Sequence, residues 1–212
     1  MRPSELFASL GSLAALGEFF RGDVAPWQWV AALDDIFVRG GPLLGAGFSC
    51  IGDGIWVHES VSIAQTASII GPAIIGENCH IRHGAYIRGH VVLGSGCVVG
   101  NSCEIKHSLL LDGAQVPHLN YVGDSVLGRG SHLGAGAVLS NLRLDGRPIK
   151  IHLPTETIQT GWRKLGAILG DGAQVGCNAV LQPGTIVERN AVVYPCVARG
   201  GYIAANGCLG KS

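Results

Sequence analysis

The sequence predicts an all-β chain, wound as a stack of short coils behind a small helical segment. Three observations predict it. From Ile51 to Leu111 an aliphatic residue returns every six positions, eleven times in succession. Glycine is abundant, at 33 of 212 residues, and gathers with polar residues between the aliphatic positions, without the strict three-residue period of a collagen. Residues 1–47 lack this rhythm and read at a helical period instead.

In residues 1–47, Ser4 is placed to cap a first helix running through Phe20, with Leu6, Leu10, Leu13 and Leu16 near one face. Pro26 suits the first turn of a second helix, Trp27 to Val38. Gly40, Gly41, Gly45 and Gly47 then end the segment, which reads as an N-terminal helical cap able to cover the end of a coil stack or dock a partner. Trp27 and Trp29 read as packing material.

Residues 48–212 form the repeat domain. Its aliphatic positions are Ile51, Val57, Ile63, Ile69, Ile75, Ile81, Ile87, Leu93, Val99, Ile105 and Leu111. Four residues after most of them comes a small or β-branched residue, such as Ala67, Cys79, Ala85, Cys97 or Cys103. The rhythm returns at Leu127, Leu133 and Leu139, and again from Leu169 to Val193. A fixed short period means stacked repeats. Each hexapeptide supplies one strand and a corner, three make a coil of 18 residues, and equivalent positions stack about 4.8 Å apart. The cysteines of the small slot then behave as small hydrophobes.

Composition narrows the function. Charged residues make up 14% of the chain and cancel in sign, which argues against nucleic acid as a partner. The apolar runs are too short for a bilayer, and no basic-then-apolar leader is expected. Seven cysteines without CxxC pairs or an even framework suit free thiols in a reducing cytoplasm.

The 18-residue coil serves as a ruler. Arg88 and Lys106 are 18 apart, and each follows an inward aliphatic, so they should form a vertical pair of cations. Like charges about 5 Å apart repel unless an anion lies between them, which suits a phosphate subsite; two solvated surface cations are the alternative. The rhythm is lost at Pro117 and His118, which predicts a bulge there. A histidine beside such a defect is a candidate general base. The stretch 141–166 is a long excursion from the coils, and long loops in compact domains tend to be functional.

The hexapeptide rhythm resembles the left-handed parallel β-helix of the hexapeptide acyltransferases. "EIKHSLLLDGAQVPHLNYVGDSVLGRGSHLGAGAVLSN", Glu104 to Asn141, is similar to the acetyltransferase domain of the bifunctional enzymes that make UDP-N-acetylglucosamine. "NLRLDGRPIKI" and "TGWRKLGAILGDGAQVGCNAVLQPG" resemble the archaeal-type sugar-1-phosphate nucleotidyltransferases that carry such a domain. The resemblance implies that His118 deprotonates the amine attacking acetyl-CoA, and that Arg88, Lys106, Tyr121, Asn141, Arg147 and Lys150 hold an amino-sugar 1-phosphate. Arg147 stands where that branch can carry a lysine. Glu104 is a further candidate, for orienting His118 or a sugar hydroxyl. Ala135, Cys177, Arg163 and Lys164 are the candidates for acetyl-CoA. The resemblance also implies a homotrimer with acetyl-CoA held between neighbouring prisms, and no metal requirement.

The chain departs from that family in places. Its nucleotidyltransferase domain has no counterpart in residues 1–47, so a separate nucleotidyltransferase is a candidate partner. His132 replaces an asparagine, Leu142 a tyrosine, Cys177 a serine and Pro195 an alanine. These changes keep a second reading open, a sugar-phosphate or nucleotide-sugar binding protein or scaffold that has lost acetyl transfer. A zinc carbonic anhydrase of the same fold needs three converging histidines. His83 and His118 are separated suitably for that, but the third position is Gly123.

Overall fold

The computed structural model describes residues 1–39 and 44–210, so Gly40 and Gly41 lie outside the described residues. Three parallel sheets of nine, eight and seven strands form the sides of a triangular prism. Successive strands fall on the first face (Ile55–His58), the second (Ser62–Ile63) and the third (Ser68–Ile69), and the cycle repeats upward. Only Phe48–Cys50 runs antiparallel within these sheets, along Ile55–His58.

The inward aliphatics stack as the period predicts. Val57 lies under Ile75, and Ile75 under Leu93, each 18 residues on. The small slots are filled by buried Ala73, Cys79, Ala85, Cys97 and Cys103. All seven cysteines are free, and the Cys79 thiol lies 3.0 Å from the Gly94 carbonyl inside the prism.

Two of the expected inward positions lie elsewhere. Ile51 is 60% exposed and sits in the turn before the first coil, its N–H bonded to the Ile55 carbonyl. Leu111 points out of the prism, and Leu110 takes the inward place above Leu93. That coil therefore has 17 residues instead of 18, and so has the next, with Leu127 over Leu110. Three consecutive leucines, 109–111, hide such a slip, because any of them satisfies an apolar position.

The first face is buried on both sides. Its outward residues Ile74, Val92, Leu109, Val126, Ile168 and Ile186 have no exposed surface. A parallel sheet covered on both faces reads as unbroken apolar triplets, here Ala73-Ile74-Ile75, Val91-Val92-Leu93 and Ala167-Ile168-Leu169. The cover is the N-terminal segment, through Leu6, Leu16, Phe20, Leu33 and Ile36, and the excursion, through Ile149, Ile151 and Leu165. The N-terminal segment thus lies along a flank of the prism. Within it Trp27 and Trp29 are buried, and Trp29 Nε1 donates to the Arg21 carbonyl.

The first predicted helix breaks in two. Helix α1 spans Pro3–Leu6, with Arg2 and not Ser4 at its N-cap, and a 3₁₀ turn spans Gly11–Leu16. The prism captures the backbone donors that a longer helix needs. Ala8 N–H goes to Asp171 at 2.7 Å and Ser12 N–H to Asp112 at 2.9 Å. Gly11 sits at φ +57°, where a Cβ would lie 1.9 Å from Asp112 Oδ2. The second helix, α2, spans Gln28–Arg39, one residue later than expected. No helix among the described residues is long and apolar enough to cross a membrane.

Leu33 of α2 has no exposed surface against the prism, whereas Leu144 on the excursion is fully exposed. Leu33→Ala should lower stability by about 2–5 kcal/mol in urea unfolding. Leu144→Ala should change it by no more than about 0.5 kcal/mol in the same measurement.

Candidate functional site

The shortened coils build an unusual corner between the third and first faces. The steps from Ile105 to Leu110 and from Val122 to Leu127 pass through Lys106-His107-Ser108 and Gly123-Asp124-Ser125. His107 and Asp124 adopt the left-handed conformation, at φ 45° and 49°. Buried hydroxyls close the tightened turns. Ser108 Oγ donates to the Lys106 carbonyl and accepts from Ser125 N–H, while Ser125 Oγ donates to the Gly123 carbonyl and accepts from Ala167 N–H. With a 17-residue repeat, His90, His107 and Asp124 fall on successive rungs.

The outward side of the third face carries two columns. One is Tyr86, Glu104, Tyr121 and Val138; the other, two residues further along each strand, includes Arg88, Lys106 and Gly123. Arg88 and Lys106 stack as the ruler predicts, with Arg88 N–H on the Ile105 carbonyl. Each cation already has a carboxylate partner: Arg88 Nη1 to Glu104 Oε1 at 2.8 Å, and Lys106 Nζ to Asp124 Oδ2 at 3.2 Å. The expected need for an anion between two repelling cations is therefore relieved from within. The first pair is half exposed and adds little to stability, whereas the second is largely buried.

Gly123 is the gap in this surface. A Cβ there would stand 2.6 Å from Asn141 Nδ2 and 2.7 Å from the Tyr121 hydroxyl, so both polar groups lean over it, one rung above Lys106. Asn141 Nδ2 also donates a short hydrogen bond to Asp124 Oδ2. Burial raises the Tyr121 pKa, and the Asp124 and Glu104 carboxylates raise it further against Asn141 and Arg88. The phenol therefore stays protonated and able to donate. Burial also pushes Asp124 up, but bonds from His107 and Asn141 and the Lys106 charge outweigh it, leaving its pKa below the ordinary value.

At His118 the structure corrects the expected bulge. Val116 is the inward residue, and Gln115–His118 pairs regularly with Val98–Asn101. The rhythm slips earlier, at 106–108, so counting on from Leu111 puts the next inward position at Pro117 instead of Val116. His118 is exposed at the corner between the second and third faces, just before Tyr121 begins its strand. Its backbone is held by Asn120, which is 3% exposed. Asn120 Oδ1 accepts His118 N–H at 3.0 Å, and its amide donates to the Gly134 and Ala137 carbonyls. Gly100, opposite Pro117, allows the close approach, since a Cβ there would lie 1.6 Å from the Pro117 carbonyl oxygen.

Rungs above His118 continue up the same corner. Gly136 N–H bonds the His118 carbonyl, Asn178 N–H that of Ala135 and Cys196 N–H that of Cys177. Beside this column runs a groove of about 380 Å3, lined by His132, Gly134, Gly176, Cys177, Tyr194 and Pro195 among others.

The excursion leaves at Asn141 and carries a hairpin, Lys150–His152 with Thr157–Gln159. Arg147 and Lys150 are exposed on it and make no ion pair among the described residues. Arg163 and Lys164 end it at the Asn141 edge, with Lys164 bridged to Leu142 and Leu165 N–H on the Asn141 carbonyl. A single prism thus gathers Arg88, Glu104, Lys106, Tyr121 and Asn141 on the outward side of the third face and at its corner with the first. It holds His118, Ala135 and Cys177 along the corner between the second and third faces, apart from Arg163 and Lys164. A second groove, of about 500 Å3, lies under Leu142–Asp145 against Ser140, Val180 and Gln182. No group of three or more His, Cys, Asp or Glu suited to a metal occurs among the described residues.

Sequence reasoning missed His107, Asp124 and Asn120. Asn120 carried a signal, a polar residue in the small slot four after Val116, but the displaced count concealed it.

Residues 69–159 match the family model described as the GMPPB C-terminal domain. A bifunctional sugar-1-phosphate nucleotidylyltransferase/acetyltransferase from Sulfurisphaera tokodaii is 35% identical over 152 residues, covering 63% of this chain and 38% of that protein. The bifunctional protein GlmU of Methanocaldococcus jannaschii is 36% identical over 106 residues, covering 50% and 26%. The chain thus spans well under half the length of these bifunctional relatives. Among solved structures, the acetyltransferase domain of PglB from Neisseria gonorrhoeae matches at 13% identity over 65% of this chain and 53% of that one, with a TM-score of 0.38. The Escherichia coli protein YaiX, named as an uncharacterized acetyltransferase, is 34% identical over 161 residues, covering 68% of this chain and 69% of that protein. The chain belongs to the hexapeptide-repeat acetyltransferases, related to the acetyltransferase part of the bifunctional sugar-1-phosphate enzymes.

Proposed function

We propose that this chain transfers acetyl from acetyl-CoA to the amine of an amino-sugar 1-phosphate. The observation that carries the reading is the convergence of Arg88, Lys106, the Tyr121 hydroxyl and the Asn141 amide around the Gly123 gap, across one narrow face from His118. Tyr121 to Gly123 covers about 7 Å along the strand, a span suited to a hexose lying across the face.

In this reading Arg88 and Lys106 hold the phosphate by charge-assisted bonds. Arg88 spends one of its donors on Glu104 and keeps others for an anion. Tyr121 and Asn141 orient the ring, and Glu104 accepts from a sugar hydroxyl. The amine attacks the thioester carbonyl, and His118 takes the amine proton. The C–S bond then breaks as the amide forms, and His118 returns the proton to the departing thiolate.

The groove beside Ala135 and Cys177 suits the pantetheine arm. Arg163 and Lys164 lie at the other edge, so they reach the same acetyl-CoA if they come from a neighbouring copy, as in a trimer. Arg147 and Lys150, exposed on the excursion, are cations available to the sugar phosphate in the same way.

A second reading, binding without transfer, is favoured by the altered acetyl-CoA side, where Leu142, Cys177 and Pro195 stand. Thiol release from acetyl-CoA, measured with glucosamine 1-phosphate and with galactosamine 1-phosphate, separates the two. Transfer predicts release with one of them, and calorimetric binding without release supports the second reading. His118→Ala should lower kcat by roughly 10²–10⁴ with little change in KM. A folded His118→Ala protein with near-normal turnover would remove His118 from the mechanism.

Gly123→Ala provides a separate check. Its methyl displaces the Tyr121 hydroxyl and the Asn141 amide, so KM for the sugar phosphate should rise by about ten-fold or more, the effect of losing one or two hydrogen bonds to a charged or polar ligand. The KM for acetyl-CoA should stay near its original value.

A further inference from the structure

We infer that His107 and Asp124 are positioning residues for the acceptor site, and that Asp34 of helix α2 joins the N-terminal segment to it. The inference rests on the function proposed above and adds residues that do not themselves touch the substrate.

Asp124 is the hub. Its side chain is 6% exposed and receives three partners: Lys106 Nζ at 3.2 Å, His107 Nδ1 at 2.8 Å and the Asn141 amide. One carboxylate therefore sets the direction of both a phosphate-binding cation and a sugar-binding amide. A charged carboxylate at this depth needs its hydrogen bonds satisfied, and His107 supplies the one that neither substrate-facing residue makes. The other nitrogen of His107, Nε2, faces Asp34 Oδ1 at 3.4 Å. Asp34 Oδ1 also lies 3.5 Å from His90 Nε2, and the two imidazoles meet edge to face with centroids 5.7 Å apart. The chain of contacts thus runs from Asp34 through His107 and Asp124 to Lys106 and Asn141.

The corner geometry favours this reading over ordinary turn chemistry. Asn78, Asn178, Asn190, Asn206 and several glycines fill most of the other left-handed corners of the prism, with Asp53, His90, Ser102, Leu119 and Cys196 at the rest. A short polar residue satisfies such a turn by itself. His107 offers in addition a two-ended ring that spans from the buried Asp124 to the surface helix.

The alignment is a consequence of the one-residue slip. In an 18-residue coil, residue 107 would stand under 125 and not under 124. The shortened steps place His107 directly below Asp124 and let their side chains meet. The N-terminal segment, pinned to the first face, then delivers Asp34 to the same corner.

Three proteins test it: the unsubstituted chain, His107→Asn and Asp34→Asn. Asparagine keeps the left-handed corner at 107 and removes the ring, so His107→Asn should fold with a melting temperature lowered by the lost bond to buried Asp124, while Asp34 is on the exposed surface of its helix and Asp34→Asn should melt near the original temperature. Steady-state KM is measured for glucosamine 1-phosphate or galactosamine 1-phosphate, whichever is turned over, and for acetyl-CoA. His107→Asn should raise the sugar-phosphate KM on the order of ten-fold, as for one lost charge-assisted hydrogen bond. Asp34→Asn should raise it about three-fold, as for an exposed ion pair. The KM for acetyl-CoA should not move in either variant.

A sugar-phosphate KM unchanged in both variants, or both KM values rising together, overturns the inference while leaving the transfer reaction intact. If the unsubstituted protein binds sugar phosphate without releasing thiol, the same comparison is made with calorimetric Kd. Neither binding nor transfer by the unsubstituted protein removes the proposed function, and this inference with it.

Discussion

Everything in this molecule depends on each coil setting its inward aliphatics directly on those of the coil below. The interior is narrow, so a large residue must alternate with a small one. Ile87 under Ile105 and Cys79 beside Cys97 follow from that requirement. The same stacking aligns every outward side chain into vertical columns. Function in such a fold is therefore a matter of which residues share a column, and a change of one residue in coil length rearranges all columns above it.

The second constraint is the apolar outer surface of the first face. A bare parallel sheet with Ile74, Val92, Leu109, Val126, Ile168 and Ile186 on its outside would bind other chains. Covering each of these side chains is worth about 1.5–3 kcal/mol. The N-terminal segment and the excursion meet that need from separate stretches of the chain, and in doing so both arrive at the corner beside the third face. The excursion begins there with Asn141, and α2 presents Asp34 there. Packing that stabilises the prism thus also assembles the surroundings of the candidate site.

That site combines charge with restraint. Arg88 and Lys106 carry two positive charges, and Glu104 and Asp124 return two negative ones. The surface is close to neutral but strongly dipolar, and its groups are fixed before any ligand arrives. Preorganisation of this kind lowers the ordering penalty of binding. The Gly123 gap matters equally, because the space it leaves is where the Tyr121 and Asn141 groups meet. In this surface the missing side chain does as much as the charged ones.

The sequence by itself determined the coil architecture, the inward aliphatics from Val57 to Ile105, the vertical pairing of Arg88 with Lys106, and the long excursion at 141–166. All of these follow from a period, and a period is local information. It could not decide which of Leu109, Leu110 and Leu111 turns inward, since hydrophobicity is the same for each and only the rung below chooses. From that one ambiguity came the misplaced break at Pro117 and the neglect of Asn120. The six-residue period marks only the inward residues, so it left unread that the middle residues of the first face are apolar too, and it suggested the end of the stack, not this flank, as a place for the N-terminal segment. Tertiary structure alone decided that α1 stops at Leu6, because Asp112 and Asp171 take its backbone donors. It alone decided that Asp34, His107 and Asp124 meet, because their contact depends on where a helix distant in sequence comes to rest.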